Sequence, residues 1–179
     1  LSEYVAKQRK FIPVYPKENE IAVDGDVSDW ENYYEIEAKR IKSYVASEID
    51  ATLHLRYTYD EENFYLLAVS KDDIWCPGTG GQYWSYDCLQ LGFSKFSEPF
   101  SSNRREYGVS YDRDADAPYL THPDKCNAAI TRVDNITTYE MAFSWKEIFG
   151  EKPDDFLFTV IAGDNDGNGR LYCVELSNG

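Results

Sequence analysis

One stretch of the chain has the residue types and spacing to hold a hard cation. Asp164-Asn165-Asp166-Gly167-Asn168-Gly169, followed after five residues by Glu175, fits the calcium-loop pattern D-x-[DN]-x-[DN]-G-x5-E at every specified position. Short oxygen-bearing side chains at alternate positions converge on the ion, and the glycine permits the sharp turn. The flanks read as strands, which excludes an EF-hand. Two readings stay open: a strand-flanked calcium loop using Asp164, Asp166 and Asn168, or a hairpin turn rich in Asp, Asn and Gly for conformational reasons. A second acidic run, Asp24-Gly25-Asp26-Val27-Ser28-Asp29-Trp30, reads better as a turn followed by a core anchor, Trp30, than as a metal site.

Aromatic residues supply a different chemistry. Trp75 and Trp84 bracket a glycine-rich loop, Ile74-Trp75-Cys76-Pro77-Gly78-Thr79-Gly80-Gly81-Gln82-Tyr83-Trp84, where no periodic core face claims them. An indole presents a flat apolar face to the C–H face of a pyranose, while its N–H and neighbouring amides meet hydroxyls. In 86–93, Leu89, Leu91 and Phe93 mark the buried face, so alternation puts Trp84, Tyr86, Cys88 and Gln90 on the other. An aromatic beside an amide on one open face is a sugar platform; the competing reading packs Trp84 beneath the 75–83 loop. Trp145, between Phe143 and Ile148, reads as core.

Catalytic constellations are scarce. His54 lies mid-strand and His122 in a proline-flanked loop, and no GxSxG, HExxH or Cys–His pairing surrounds them. Acid pairs suited to glycoside hydrolysis carry no signal among 32 Asp and Glu. Cys76, Cys88, Cys126 and Cys173 form no CxxC pair and do not read as a zinc site. Their even number allows two disulfides, as in an exported protein, or four buried thiols.

The elements that must position these residues are strands. Residues 51–59 alternate apolar and polar, and Asp60-Glu61-Glu62-Asn63 makes the turn into 64–69, whose unbroken apolarity predicts a central strand covered on both faces. Further strands are expected at 20–23, 33–38, 86–93, 105–112, 127–133, 137–143, 156–163 and 170–176. About ten short strands predict an antiparallel, jelly-roll-like β-sandwich. Its one helical turn is Ser144–Phe149, with Ser144 as cap, Glu147 reaching back and Gly150 as terminator. Segments 71–85 and 113–126 read as long loops.

The 179 residues suit a single domain, with 1–19 as an extended arm. Eighteen Lys and Arg against 32 acids leave −14, which argues against nucleic acid and anionic membrane surfaces. No apolar run approaches the roughly 18 residues of a membrane helix. The start, LSEYVAKQRK, reads as an excised piece or a mature product.

In order and spacing, Val23-Asp24-Gly25 with Trp30, the 51–69 hairpin, Trp84 to Leu91, Tyr139 to Trp145, and Phe158 to Asp164 with Gly169-Arg170 resemble the family 9 carbohydrate-binding modules over residues 20–176. The resemblance implies a jelly-roll sandwich, structural calcium, and a sugar held between two aromatic rings. It implies a secreted or cell-surface, non-catalytic module that holds an attached enzyme or surface protein against plant-type polysaccharide. Trp84 matches one ring of the pair. Gln90 falls where the family has an acidic contact, Gly108 where it has a basic one and Ile161 where it has an amide. The loop carrying the second tryptophan is absent, so Trp75, Tyr83 or a tyrosine such as Tyr111 must replace that ring, or the ligand differs. Related sandwiches bind haem through Met and His, which makes Met141, His54 and His122 the residues of a rival electron-transfer reading. A structural or adhesive sandwich is a third reading; it requires Trp75 and Trp84 both buried.

Overall fold

Alternating side chains put one apolar row on each strand, and two sheets bury those rows against each other. A computed structural model describes residues 12–44, 50–97 and 104–176; the proposed arm over 1–19 lies in part outside them. The strands are β1 (Glu35–Ala38), β2 (Arg40–Ser43), β3 (Thr52–Tyr59), β4 (Asn63–Lys71), β5 (Cys88–Lys95), β6 (Arg105–Asp112), β7 (Ala117–Leu120), β8 (Cys126–Val133), β9 (Ile136–Ser144), β10 (Phe156–Asp164) and β11 (Tyr172–Glu175), with one helix, α1 (Trp145–Phe149), after β9. A five-stranded sheet runs β1-β3-β4-β9-β8 and a six-stranded sheet β2-β11-β10-β5-β6-β7, with every pair antiparallel. This is the sandwich that the sequence predicts.

Several local expectations are corrected. Residues 20–23 form no strand. Segment 113–126 contains β7, whose Pro118 pairs with Tyr111; β7 is the sheet edge, where a missing N–H does no harm. The loop over 71–85 holds a 3-10 turn at Gly80–Ser85. Ser144 has cap geometry but its side chain makes no cap hydrogen bond, whereas Gly150 ends α1 at φ 88° with its N–H on the Lys146 carbonyl.

The core follows the predicted parity. Leu89, Leu91 and Phe93 of β5 are at most 2% exposed, and they meet Leu53, Leu55, Phe64, Leu66, Met141 and Phe143 from the opposite sheet. Phe64 and Phe93 pack edge to face at 5.9 Å, with Phe158 within 5.4 Å of both. Each such ring or leucine, fully buried, is worth roughly 1.5–3 kcal/mol.

β4 is covered on both sides, as its unbroken apolarity requires. Beyond the sheet, Tyr65 and Leu67 are capped by Ile21 and the fully buried Trp30. Trp30 leaves a 3-10 turn at Val27–Trp30, and Asp26 starts that turn by accepting from the Ser28 N–H. A buried carboxylate pins the segment: Glu140 accepts from Trp30 Nε1 at 2.7 Å and from the amides of Asp24 and Gly25 at 2.9 and 2.8 Å.

All four cysteines are free thiols. Cys88 and Cys173 both face Gly163 from the two neighbours of β10. Two strand spacings, roughly 9.5 Å, separate them, beyond disulfide reach.

Candidate functional site

The outer face of the six-stranded sheet is covered only in part, by Tyr83 over Gly108 and the Arg170 guanidinium over Gly163 among the described residues, with Cys88, Ser110, Cys173 and Glu175 buried. Its residues follow from register: Gln90 lies between Gly108 of β6 and Ile161 of β10, Ile161 faces Glu175 of β11, and Glu175 faces Arg40 of β2. Glu175 is buried and paired with the Arg40 guanidinium at 2.9 Å. The residue that completes the calcium-loop pattern in sequence is therefore committed elsewhere.

Tyr83 and Trp84 reach this face from the 3-10 turn, because β5 begins only at Cys88 and strand alternation does not extend back to them. Tyr83 lies directly on Gly108, where any Cβ would collide with its ring, so glycine is required for the close approach. The Gln90 side chain hydrogen-bonds the Tyr83 hydroxyl, and burial pushes that phenol up. Trp84 stands edge-on to Tyr83 at 5.7 Å and 85°, and Tyr119 tilts against the other side of Tyr83 at 5.9 Å. Trp84 is 47% exposed. The same turn therefore presents a half-exposed indole next to the ring that it seats on Gly108.

The other predicted aromatics go elsewhere. Trp75 packs on Tyr111 at 5.1 Å with the Arg132 guanidinium 5.6 Å over its ring. Tyr111 shares the parity of Val109, on the core side of β6, and its hydroxyl bonds Asp116. Arg132 is fixed by bonds to the Asp72 carbonyl and to Thr137 Oγ1. Tyr86 closes over Gly78. The chain thus separates Tyr83, Trp84 and Gln90, on the open face, from Trp75 and Tyr111, at the rim of the core.

The loop carrying Trp84 is tied down by acids. Asp87 accepts from the amides of Cys76 and Asn165, joining both ends of the 76–87 loop to the turn after β10. Asn165 also caps that turn, accepting from Gly167 and Gly169. Asp164 and Asp166, predicted as ligands, fall into two adjoining acid groups that share Asp50: Asp50 with Asp72 and Asp164, and Asp50 with Asp73 and Asp166, ligand oxygens within 4.8 Å in each. Asn168 is exposed in the turn. Asp50 is placed by Tyr172, whose hydroxyl accepts from the Asp50 and Ala51 amides at 2.9 and 2.7 Å.

The carboxylates of this cluster crowd one another, with those of Asp72, Asp87 and Asp164 buried. Both oxygens of Asp164 and one of Asp166 are buried without a hydrogen-bond partner among the described residues. Burial and then the neighbouring carboxylates of Asp72, Asp166 and Asp87 push Asp164 up to about 8. Burial likewise raises Asp87 to about 7 and Asp72 to about 6. Asp72, Asp87 and Asp164 line a cavity of about 10 Å³ between the ends of the sheets, room for one small occupant. The donor set, all carboxylate oxygen, suits a hard divalent cation. Sequence spacing pointed to Asp164 and Asp166; Asp50, Asp72 and Asp73 sit at strand ends far away in sequence, and only the acidic pair after β4 could have drawn notice.

The residues of the rival haem reading are dispersed. Met141 is fully buried in the core, His54 has the opposite parity in the same sheet and bonds Glu35 at 3.1 Å, and His122 packs on Tyr107. They offer no common iron site.

No family model matches the chain. It is 23% identical over 152 residues to endo-1,4-beta-xylanase A of Thermotoga neapolitana, which covers 83% of this chain but 14% of that protein; the chain spans about a seventh of the curated relative it matches. Two solved structures of a family 9 carbohydrate-binding module from Caldicellulosiruptor kristjanssonii superimpose on 91% of the chain. One is in complex with cellotriose, at TM-score 0.72 and 12% identity over 83% of its own length; the other is in complex with glucose, at 0.71 and 13% over 84%. The chain has the fold of the family 9 modules.

Proposed function

We propose that this domain binds polysaccharide on the outer face of the six-stranded sheet and performs no chemistry of its own. One observation carries the reading: Trp84 is held half-exposed and edge-on to Tyr83, which lies over Gly108 and bonds Gln90, on the fold of the family 9 modules. The indole face covers the apolar face of a pyranose, and the Gln90 amide and the Arg40–Glu175 pair along the same row offer donors and acceptors to hydroxyls. Tyr83 occupies the ground above Gly108, where the family resemblance puts a basic contact, so this chain replaces a charged sugar contact by a ring. The xylanase likeness supports a module of a larger carbohydrate-active protein. There the domain would raise the effective concentration of polymer near a partner domain. Polymers of this kind lie outside cells, which supports an exported or cell-surface setting.

The reading includes a structural calcium. Asp50, Asp72 and Asp164, with Asp73 and Asp166 beside them, would hold it, and the ion would supply the positive charge that this buried acid cluster lacks. Asp87 would then anchor the Trp84 loop to a stiffened turn.

Native affinity electrophoresis of the calcium-loaded domain against soluble β-glucans, xylans, mannans and pectins tests the function. Selective retardation by one polymer is expected and names the substrate class. Passage through all of them unretarded, with no heat of binding to their oligosaccharides, would remove the reading.

A further inference from the structure

The outer face of the six-stranded sheet carries a second exposed ring near its other edge. Arg40 and Lys42 of β2 point outward, opposite Glu175 and Cys173 of β11. Tyr44, next in the same alternation, is 49% exposed, with its hydroxyl 3.8 Å from the outward Cys173 Sγ. Lys42 Nζ lies 5.4 Å over the ring and holds it. Between this ring and the Tyr83–Trp84 pair lies Arg170. Its Nη2, Nε and Cζ all come within 3.1 Å of where a Cβ on Gly163 would stand, so the guanidinium rests on the bare strand. Nη2 donates to Cys88 Sγ at 3.3 Å, and Nε is buried with no partner among the described residues. Among those residues Arg170 enters no ion pair, in a chain with 32 Asp and Glu. Most of its donors are unused.

We propose that Trp84, Arg170 and Tyr44 form one platform for an internal stretch of a neutral polysaccharide, so that the domain binds along chains and not at their ends. The inference rests on the polysaccharide reading above and adds the mode of binding to it. Separation decides the mode. Gly108, beneath Tyr83, and Cys173, beneath Tyr44, lie three strand spacings apart across β6, β5, β10 and β11 and two residues out of register, roughly 16 Å. Rings that grip one pyranose between them stand roughly 8 Å apart, two carbon–carbon contact distances. Trp84 is 5.7 Å from Tyr83, too little to close the gap, and Arg170 occupies the ground between. The two rings therefore bear different units of a chain, and the guanidinium donates to hydroxyls of the units that join them. Charge decides against an acidic polymer. Asp164, one residue along β10 from Gly163, belongs to the acid group with Asp50 and Asp72 and would repel one. The parts are also held in mutual place: Asn165 Nδ2 donates to the Ser85 carbonyl, which joins the hairpin bearing Arg170 to the turn bearing Trp84 and spares the ordering cost on binding.

Calorimetric titration of the full chain with cello-, xylo- and manno-oligosaccharides tests this, each as the disaccharide, the hexasaccharide and the hexasaccharide with its reducing end converted to an alditol. The hexasaccharide should bind about tenfold or more tightly than the disaccharide, and the alditol within about twofold of its parent. Tyr44→Ala should lower hexasaccharide affinity about fivefold while the disaccharide binds as before, which also shows that the variant is folded. Tyr44→Phe keeps the ring and should bind as the wild type does. Arg170→Lys keeps the charge but loses the planar fork, and should weaken the hexasaccharide about threefold with the disaccharide unaffected. Equal affinity for the two lengths, with binding lost when the end is reduced, would overturn the platform and leave the polysaccharide reading standing. So would hexasaccharide binding indifferent to both Tyr44→Ala and Arg170→Lys. Binding of none of the sugars would remove both.

Discussion

The two outer faces of this sandwich receive opposite treatment, and two tryptophans show it. On the five-stranded sheet, Trp30 is completely buried with its indole N–H on Glu140, and the segment bearing it seals Tyr65 and Leu67 from water. On the six-stranded sheet, Trp84 stands 47% exposed on a short turn, while Tyr83 and the Arg170 guanidinium lie over the strands at Gly108 and Gly163. The difference comes from a single buried acceptor. A carboxylate with three inward-pointing N–H donors holds a covering layer shut, whereas Gln90 and Gly108 offer nothing comparable and leave a face for a ligand.

The largest effect expected from breaking that contrast is on the closed face. Glu140→Ala strands three donors in an apolar layer and should cost about 3–5 kcal/mol in urea unfolding. Its affinity for sugar, measured where it remains folded, should stay within about twofold, because the two faces share no contacts. A loss under 1 kcal/mol would mean that Glu140 does not hold the cover. Calcium removal should act on the other side, through the loop that carries Trp84. At a calcium concentration about a hundredfold above Kd, chelation would remove about 2.7 kcal/mol, seen by calorimetry as a Tm lower by roughly 5–10 °C. Protons and the cation compete for the same carboxylates, so the drop should be greater at pH 8 than at pH 5. A melting curve indifferent to chelator would leave a bare acidic turn.

Smaller changes sharpen the open face. Trp84→Ala should weaken oligosaccharide binding by about 2 kcal/mol, about thirtyfold, and shift Tm by no more than about 2 °C, since the ring is half in water already. The same change at Trp30 would unfold the covering layer. Gly108→Ala displaces the Tyr83 ring and should cost about 1 kcal/mol of affinity, near fivefold, with Trp84 unmoved. Unchanged titration curves for both variants would show that sugar does not lie on this face.

Much of the scaffold is legible in the sequence because strand patterning is local. The alternation of 51–59, the unbroken run 64–69 and the parity of Leu89, Leu91 and Phe93 each report which faces are buried, and the structure agrees except at Thr58, which is fully buried and donates to the Tyr15 carbonyl. β7 escaped because Pro118 reads as a strand breaker, and an edge position tolerates it. Ser144 misled in the other direction: a cap residue type at a cap position, without the bond. Site residues were legible only where they cluster in sequence, as Asp164 and Asp166 do, or where a ring had no core face to claim it, as with Trp84.

By itself, then, the sequence determined an acidic, aromatic-rich antiparallel sandwich, its buried rows and a loop of rings with no place in them, since each depends on side chains within a few residues of one another. The tertiary structure decided what converges: Asp50, Asp72 and Asp164 in one acid cluster, Tyr83 on Gly108, and Trp75 under Arg132. Those meetings depend on the order and register in which distant strands pair, and register is fixed by burying every apolar row at once, a condition that no short stretch of sequence contains.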